Sequence, residues 1–355
     1  MTHELRKLTA LLLALVLLGS LCACAKGSAE LKRGSGMLEE EPVAEQDENP
    51  DAEPERAGMP VLQSVSARLD GVNLTSDFYF YRALLSADYQ TAYDQIRDGI
   101  NNCLEVIPLS VNVPKTDLQT IYLSVLYDSP ELFWAESKFS YSYNKSGFVT
   151  KVKPAYNDLA KNTFAASTAM EKAVEEALAD MWSLSTDAEK VKYAHDYLTN
   201  KIDYTIDTPY NQTAYAALVN GKCVCAGYAH AFQYMMQKMG IRCAFVVGDA
   251  GGGMHAWNLV ELGGEFYAMD VTWDDPLGAK PTKYYYDYFN LTSTQMGKDH
   301  TLRAISSGLP QATGTAQNYQ NGFGGNRYGT DFAAIKGTLP EGYGTGGGYL
   351  EAPSK

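Results

Sequence analysis

The sequence predicts an α+β fold, in which a helix that begins at a cysteine is followed by strands of an antiparallel sheet. Apolar residues after Cys225 recur at steps of four and three, which is typical of an amphipathic helix. Gly240 is in the right place to end that helix as a C-terminal cap. The segment 241–247 is a continuous apolar run that indicates a buried strand, and 255–262 alternates like a strand with two distinct faces.

Further elements are predicted ahead of this helix. Residues 63–155 are rich in aromatic residues, and apolar residues between 121 and 126 follow a helical period, so we interpret this part as an N-terminal α/β subdomain. Apolar residues from Met170 to Met181 indicate a second helix. Thr186 and Glu189 have the spacing of a capping box and predict a third. Both helices are expected to pack beside the Cys225 helix within a core that spans residues 156–310.

The position of Cys225 suggests a nucleophile. At a helix N-terminus, unpaired N–H groups and the helix dipole favour a thiolate, which is the attacking form of cysteine. The same N–H groups can hold a developing oxyanion. A cysteine, a histidine and an aspartate follow in the order Cys225, His255 and Asp270, as a nucleophile, its base and an orienting carboxylate require.

The hairpin geometry tests this arrangement. If Gly263-Gly264 form a two-residue turn, Leu262 lies opposite Glu265, and His255 becomes the diagonal neighbour of Asp270. A slip of one residue would send Asp270 to the other face of the sheet. Asp274 and Asp275 are alternatives to Asp270 as the residue that orients His255. Asp274 is the stronger alternative, because it would lie on the same face of the strand as Asp270.

Other candidate groups have structural interpretations. His230 is expected to point away from the thiol, His195 to be a hydrogen-bonded structural residue, and His300 to have no role. Free buried cysteines are expected at Cys103 and Cys243. A zinc site of Cys223, Cys225 and His255, or a reversible Cys223–Cys225 link, is the alternative for the cysteine pair, although Cys-x-Cys is not the usual zinc spacing.

These motifs resemble a known family. The segments 221–232, 255–258 and 270–275 are similar to the transglutaminase-like superfamily, whose core is papain-like. The resemblance implies that Cys225 is the nucleophile, His255 the base and Asp270 its orienting residue. Trp257, Asn258 and Trp273 are expected to line the substrate pocket. The segments 189–198 and 128–134 also resemble secreted bacterial lipoproteins that carry this domain.

The N-terminus predicts export. Arg6 and Lys7 precede an apolar run over 8–21, which suits a signal peptide and is too short to span a membrane. The residues before Cys24 resemble a lipobox, so residues 1–23 are predicted to be a lipoprotein signal peptide and Cys24 the lipidated residue; secretion with cleavage elsewhere is the alternative. The protein is then expected on the outer face of the bacterial cell membrane, anchored to it through Cys24.

The regions that flank the globular part differ from it in composition. Residues 24–62 are acidic and contain little to bury, so they are predicted to be a disordered tether. Residues 311–355 are rich in glycine and are predicted to form an irregular tail. The net charge of -13, without a basic patch, argues against nucleic acid as a partner. No nucleotide-binding motif occurs in a strand–helix context, so no cofactor is expected. Because Cys-x-Cys is not the usual zinc spacing, no resident metal is expected either.

Two classes of function remain open. The first is a cysteine-dependent acyl-transfer enzyme that acts on amide or peptide bonds of protein or cell-wall peptide substrates, with transfer and hydrolysis both open. The second is a catalytically silent surface binding module on the same scaffold.

Overall fold

The computed structural model describes residues 42–48, 75–275 and 286–318. Helices and sheets are mixed along the chain, and most strand pairs are antiparallel, which confirms the predicted α+β class. The helices are α1 Phe80–Leu84, α2 Ala87–Asn101, α3 Leu118–Asp128, α4 Thr163–Leu178, α5 Asp187–Lys201, α6 Ala214–Leu218, α7 Cys225–Lys238 and α8 Ser293–Met296. The strands are β1 Val43–Gln46, β2 Ile107–Pro108, β3 Ala135–Tyr143, β4 Val149–Tyr156, β5 Asp203–Tyr204, β6 Lys222–Cys223, β7 Cys243–Ala250, β8 Gly253–Leu262, β9 Glu265–Met269 and β10 His300–Leu302.

The N-terminal part combines helices α1 to α3 with a sheet of order β1-β3-β4-β2. The predicted helix around Ile121 is α3, and the aromatic segment after it packs, since Leu132, Phe133 and Trp134 are buried in the core. Asp128, the last residue of α3, accepts the N–H groups of Tyr81 and Arg82 and so satisfies donors in the first turn of α1. These contacts join α1 to the end of α3.

The acidic segment differs from its prediction. Within the tether, Val43–Gln46 forms β1 and pairs in parallel with β3. The carboxylate of Asp47 accepts a hydrogen bond from Thr150 Oγ1 at 2.6 Å and lies 3.7 Å from Lys151 Nζ. Composition alone predicts a solvated segment. It misses this strand because the groups that hold the strand lie about a hundred residues away in the sequence. The rest of the tether lies outside the described residues.

Helix α7 is the central element of the core, and its ends form as predicted. Cys225 is its first residue. Gly240 adopts φ +71°, its N–H donates to Gln237, and the N–H of Ile241 donates to Met236. This is the Schellman pattern, which glycine permits because it has no Cβ. The Thr186–Glu189 capping box at α5 is also present, and Glu171 of α4 pairs with Lys238 of α7.

The second sheet has the order β10-β7-β8-β9, in antiparallel pairs. Between the two predicted strands, residues 249–253 form a tight hairpin, in which Ala250 pairs directly with Gly253. The two intervening glycines take positive φ, as a two-residue hairpin turn requires, and the strands extend up to that turn. At the next hairpin, Leu262 pairs with Glu265 as predicted.

The described start of the predicted tail, 311–318, has no helix or strand but packs against the core. Gly314 donates its N–H to Phe266, and a side chain there would collide with the Tyr267 ring. Among the described residues, no helix has both the length and the apolar character needed to cross a membrane. The signal peptide, Cys24 and the rest of the tail lie outside the described residues.

Candidate active site

Cys225 lies at the N-terminus of α7, as the sequence predicts. Val224 precedes it in an extended conformation, and the Val224 N–H donates to the carbonyl of Asn211 at 3.0 Å. Gly227 in the first turn is closely packed, since a Cβ there would lie 2.4 Å from Cys223 Cβ and 2.8 Å from the Asn211 oxygen. Residues upstream of the helix therefore fix the position of its first turn and of the Cys225 sulfur.

The hairpin register brings His255 and Asp270 together. Asn258 pairs with Met269. Asp270 follows directly after β9, on the diagonal from His255 that the two-residue turn predicts. The His255 Nε2–H donates to Asp270 Oδ2 at 2.7 Å, and both side chains are fully buried. The other oxygen of Asp270 accepts the N–H groups of Thr272 and Trp273 at 3.0 and 3.2 Å, so the carboxylate is held from two sides.

The second ring nitrogen of His255 faces a different environment. Nδ1 is buried and has no hydrogen-bond partner among the described residues. Burial by itself lowers the pKa of His255, but the Asp270 carboxylate and then the Cys225 sulfur outweigh it and raise that pKa to about 10. Cys225 is thus close enough to interact electrostatically with the ring. The arrangement favours an imidazolium beside a sulfur that can carry negative charge.

His300, which the sequence analysis leaves without a role, contacts this pair. Its Nε2 lies 3.1 Å from Asp270 Oδ2, and its Nδ1 lies 2.7 Å from Asp299 Oδ1. Burial acts to raise the pKa of Asp270, but His255 and His300 hold it well below its usual range. The sequence carries no local signal for this contact, because β10 reaches the site only by pairing with β7.

The three predicted pocket residues have different environments. The Trp257 ring is buried and lies against His255 and His300, with ring centroids 6.1 and 5.0 Å apart. The half-buried Trp273 ring lies 5.7 Å from the His255 ring. Asn258 is an exception, since its amide donates to the carbonyls of Ala229 and Ala244 at 2.9 and 3.3 Å. It ties β8 to α7 and β7 through these two hydrogen bonds.

Neither competing aspartate reaches His255. Asp274 Oδ2 accepts a hydrogen bond from His195 Nε2 at 3.1 Å, and burial raises the pKa of Asp274 to about 6. Asp275 accepts a hydrogen bond from the Tyr228 hydroxyl. Asp270 is therefore the carboxylate that orients His255, and His195 is a structural residue as predicted.

Cys223 has the environment of a structural thiol. It is fully buried against Gly227, and burial, followed by the charge of Cys225, raises the pKa of Cys223 well above its usual value. Cys103, Cys223, Cys225 and Cys243 are all free. Cys243 is buried as expected, whereas Cys103 is half-buried.

One group of side chains has the composition of a metal site. His255, Asp270 and His300 each offer a ligand atom, and these atoms lie within 4.8 Å of one another. Asp270 Oδ2 is at hydrogen-bond distance from both imidazole nitrogens, so a metal ion would have to displace both hydrogen bonds. Cys223, Cys225 and His255 do not form such a group in the described part of the chain.

The site is closed in this structure. Cys225, His255 and Asp270 are each 0% exposed. A cavity of about 280 Å³ lies beside the helix that carries the cysteine, and its lining includes Ala226, the residue after Cys225. Aromatic and apolar residues such as Phe133 form part of this lining, together with Glu136 and Lys138. The cavity thus provides space next to the first turn of α7, whereas the sulfur itself is covered.

Comparisons with known proteins agree with the motifs at this site. Residues 176–271, which include Cys225, His255 and Asp270, match the model of the transglutaminase-like superfamily. The human (Homo sapiens) protein named Kyphoscoliosis peptidase is 27% identical over 151 residues, an alignment that covers 36% of this chain and 23% of that protein. This chain therefore matches less than a quarter of that relative's length.

Two solved structures are also similar to parts of the chain. One is described as a candidate cysteine protease from Cytophaga hutchinsonii, with 16% identity, a TM-score of 0.27 and coverage of 35% of this chain and 51% of that one. The other is described as a TGase, with 16% identity, a TM-score of 0.28 and coverage of 52% and 55%. Residues 176–271, which contain the site described above, are therefore the part of this chain that is similar to the transglutaminase-like superfamily.

Proposed function

We propose that this protein is a cysteine-dependent acyl-transfer enzyme that acts on amide or peptide bonds of protein or cell-wall peptide substrates. The observation that carries the proposal is the asymmetry of His255, whose Nε2 is held by Asp270 while its buried Nδ1 has no hydrogen-bond partner in the described part of the chain. A fixed imidazole with one nitrogen left for the nucleophile is what a Cys-His-Asp triad requires.

The proposed reaction uses each group in turn. The Cys225 thiolate attacks the carbonyl carbon of an amide, a carbon–sulfur bond forms, and the carbonyl electron pair moves to oxygen. When the intermediate collapses, the carbon–nitrogen bond breaks and imidazolium His255 protonates the leaving amine. The resulting thioester is resolved by an amine or by water, and Asp270 keeps the imidazole in its productive orientation. The peptidase name of the human relative supports amide chemistry of this class.

Alkylation with iodoacetamide, followed by intact-mass analysis, tests the nucleophile. We expect one fast adduct at neutral pH in the wild-type protein, none in Cys225→Ala, and slower alkylation in His255→Ala because the thiolate loses its cationic partner. Cys223→Ser is the matched control and should be alkylated like the wild type. Equal rates in wild-type and His255→Ala protein would contradict an activated thiolate.

Casein assays separate the two resolutions of the thioester. Incorporation of monodansylcadaverine into casein would indicate transfer, and release of casein fragments would indicate hydrolysis.

The full burial of Cys225 favours a second candidate function, a binding module with an unused triad on the same scaffold. No alkylation of Cys225 by iodoacetamide in the folded protein would support this second function and contradict the first.

We also propose that the enzyme works on the outer face of the bacterial cell membrane, anchored through lipid on Cys24. The apolar run before Cys24 and the lipobox-like residues support this location. Cys24→Ala should move the protein from the membrane fraction to the medium, because lipid chains supply the membrane affinity. A mutant that stays in the membrane fraction would contradict the anchor.

A further inference from the structure

The Tyr204 hydroxyl is a buried polar group near the cysteine that the triad leaves unused. Its oxygen is shielded from solvent and has no hydrogen-bond partner among the described residues. A buried donor without a partner costs folding free energy, and in native proteins such a group is uncommon enough to need an explanation.

Two contacts fix where this side chain lies. Tyr204 pairs with Cys223 in the parallel β5–β6 ladder, and the next residue, Thr205, donates its N–H to the Cys223 carbonyl at 2.9 Å. The Tyr204 ring stacks on Tyr228 in the first turns of α7, with centroids 6.5 Å apart and planes 25° apart. The ring is therefore held against the beginning of the helix that starts at Cys225.

The charges around the hydroxyl agree with this placement. Burial raises the pKa of Tyr204 above its usual value, and electrostatic interaction with Cys225, Cys223 and Asp270 raises it further. The phenol consequently keeps its proton at physiological pH and is a hydrogen-bond donor. It is close enough to Cys225 to interact with it electrostatically, and it has no hydrogen-bond partner among the described residues.

We propose that Tyr204 is a further catalytic residue, whose hydroxyl donates a hydrogen bond to the oxyanion formed when Cys225 attacks a carbonyl. In that step the sulfur–carbon bond forms and the carbonyl electron pair moves to oxygen; Tyr204 keeps its proton and donates a hydrogen bond to the new oxyanion. A donor that is unpartnered at rest and bonded only when the charge develops stabilises the transition state selectively.

The inference rests on the proposed acyl-transfer function, and two probes separate them. Iodoacetamide alkylates the sulfur without forming an oxyanion. The peptide aldehyde acetyl-leucyl-leucyl-norleucinal adds reversibly to a thiolate and forms a tetrahedral oxyanion. Aldehyde binding is measured as protection of Cys225 from iodoacetamide, in wild-type protein, in Tyr204→Phe, and in the control Tyr156→Phe. The control removes a phenol hydroxyl that donates to Leu104 in the N-terminal part.

Tyr204→Phe should weaken aldehyde binding by about 10²- to 10³-fold, the usual loss for one oxyanion donor, and leave the alkylation rate unchanged. Its melting temperature should be no lower than that of the wild type, because no hydrogen bond of the folded state is lost. Tyr156→Phe should bind the aldehyde normally.

Several outcomes would overturn the role of Tyr204. They are unchanged aldehyde binding in Tyr204→Phe, slowed alkylation in that variant, loss of its folding, and a wild-type protein that is alkylated but does not bind the aldehyde. Failure of iodoacetamide to modify Cys225 in the wild-type protein would instead contradict the proposed function itself.

Discussion

Two buried histidine–carboxylate networks lie side by side in this molecule, and they differ in the hydrogen bonding of one imidazole nitrogen. His195 hydrogen-bonds through both ring nitrogens, to Asp196 at 2.9 Å and to Asp274 at 3.1 Å. His255 is bonded to a carboxylate through Nε2 only, and its Nδ1 has no hydrogen-bond partner within the described residues. Both imidazoles are fully buried. Burial and acidic neighbours alone therefore do not distinguish the histidine that we propose to be catalytic from the other one.

The surroundings of the two networks explain the difference. Asp196 also accepts hydrogen bonds from Lys192 and Tyr286 at 2.6 and 3.0 Å, so the His195 network contains its own cation. Burial lowers the pKa of Lys192, and Asp196 acts in the opposite direction. A buried network whose charges are paired internally contributes rigidity. The His255 network instead has Cys225 beside it as a group that can react.

The largest expected effect concerns the two aspartates. Asp270→Asn should lower the rate of acyl transfer by about 10⁴-fold with the fold retained, because an amide favours the wrong imidazole tautomer. Asp274→Asn is the matched control, since it makes the same change four residues away at His195. Its rate per folded molecule should stay close to that of the wild type. Equal losses in the casein assay would remove the distinction between the two networks.

Stability should show the opposite order. His195→Ala is expected to lower the free energy of unfolding by about 3–5 kcal/mol, because the buried Asp274 carboxylate loses its imidazole partner and keeps the N–H of Tyr288. His255→Ala should cost less, since Asp270 keeps His300 and the N–H groups of Thr272 and Trp273. Urea unfolding at neutral pH measures both values. A larger loss for His255→Ala would mean that the reactive network is also the main structural one.

The pH dependence should separate the networks further. The pKa of His255 is raised to about 10 in the folded protein, so its contribution to stability is full below its unfolded pKa of about 6.5 and is lost as the pH rises through about 10. Leaving-group protonation also needs the imidazolium, so acyl transfer should fall over the same alkaline range. In Asp270→Asn the fall should begin at lower pH, because the variant lacks the Asp270 carboxylate, which is the largest of the charges that raise the pKa of His255. An unchanged alkaline limb in that variant would contradict this assignment.

His300 should have an intermediate effect. His300→Phe removes a hydrogen bond to the charged Asp270, a type of interaction that contributes about 1.5–3 kcal/mol, so acyl transfer should fall by roughly tenfold or more. His300→Gln keeps a side-chain N–H donor and should retain more activity than His300→Phe. If both variants match the wild type in the casein assay, His300 does not position Asp270.

The smallest effect is expected at Cys223. Cys223→Ser should remain active, because Cys225, and not Cys223, begins helix α7. The variant should also lose less activity than the wild type after mild oxidation with hydrogen peroxide, since a Cys223–Cys225 link can no longer form. Complete loss of activity in a folded Cys223→Ser protein would make Cys223 part of the reaction.

The sequence by itself determined the parts of the site that depend on local periodicity and turn chemistry. The apolar stripe after Cys225 specified helix α7, and the two glycines after Leu262 specified the hairpin register. Because side chains alternate strictly along a strand, that register placed Asp270 within reach of His255. These features depend on residues close together in the chain, where backbone preferences are strong.

Tertiary structure alone decided the parts that depend on distant segments. His300 reaches Asp270 through the β10–β7 pairing, Asp274 is drawn to His195 across 79 positions of sequence, and β1 is held by Thr150 and Lys151. The orphan hydroxyl of Tyr204 likewise follows from its pairing with Cys223. Such contacts are set by how sheets and helices pack, and no local pattern in the chain encodes which buried polar group will meet which partner.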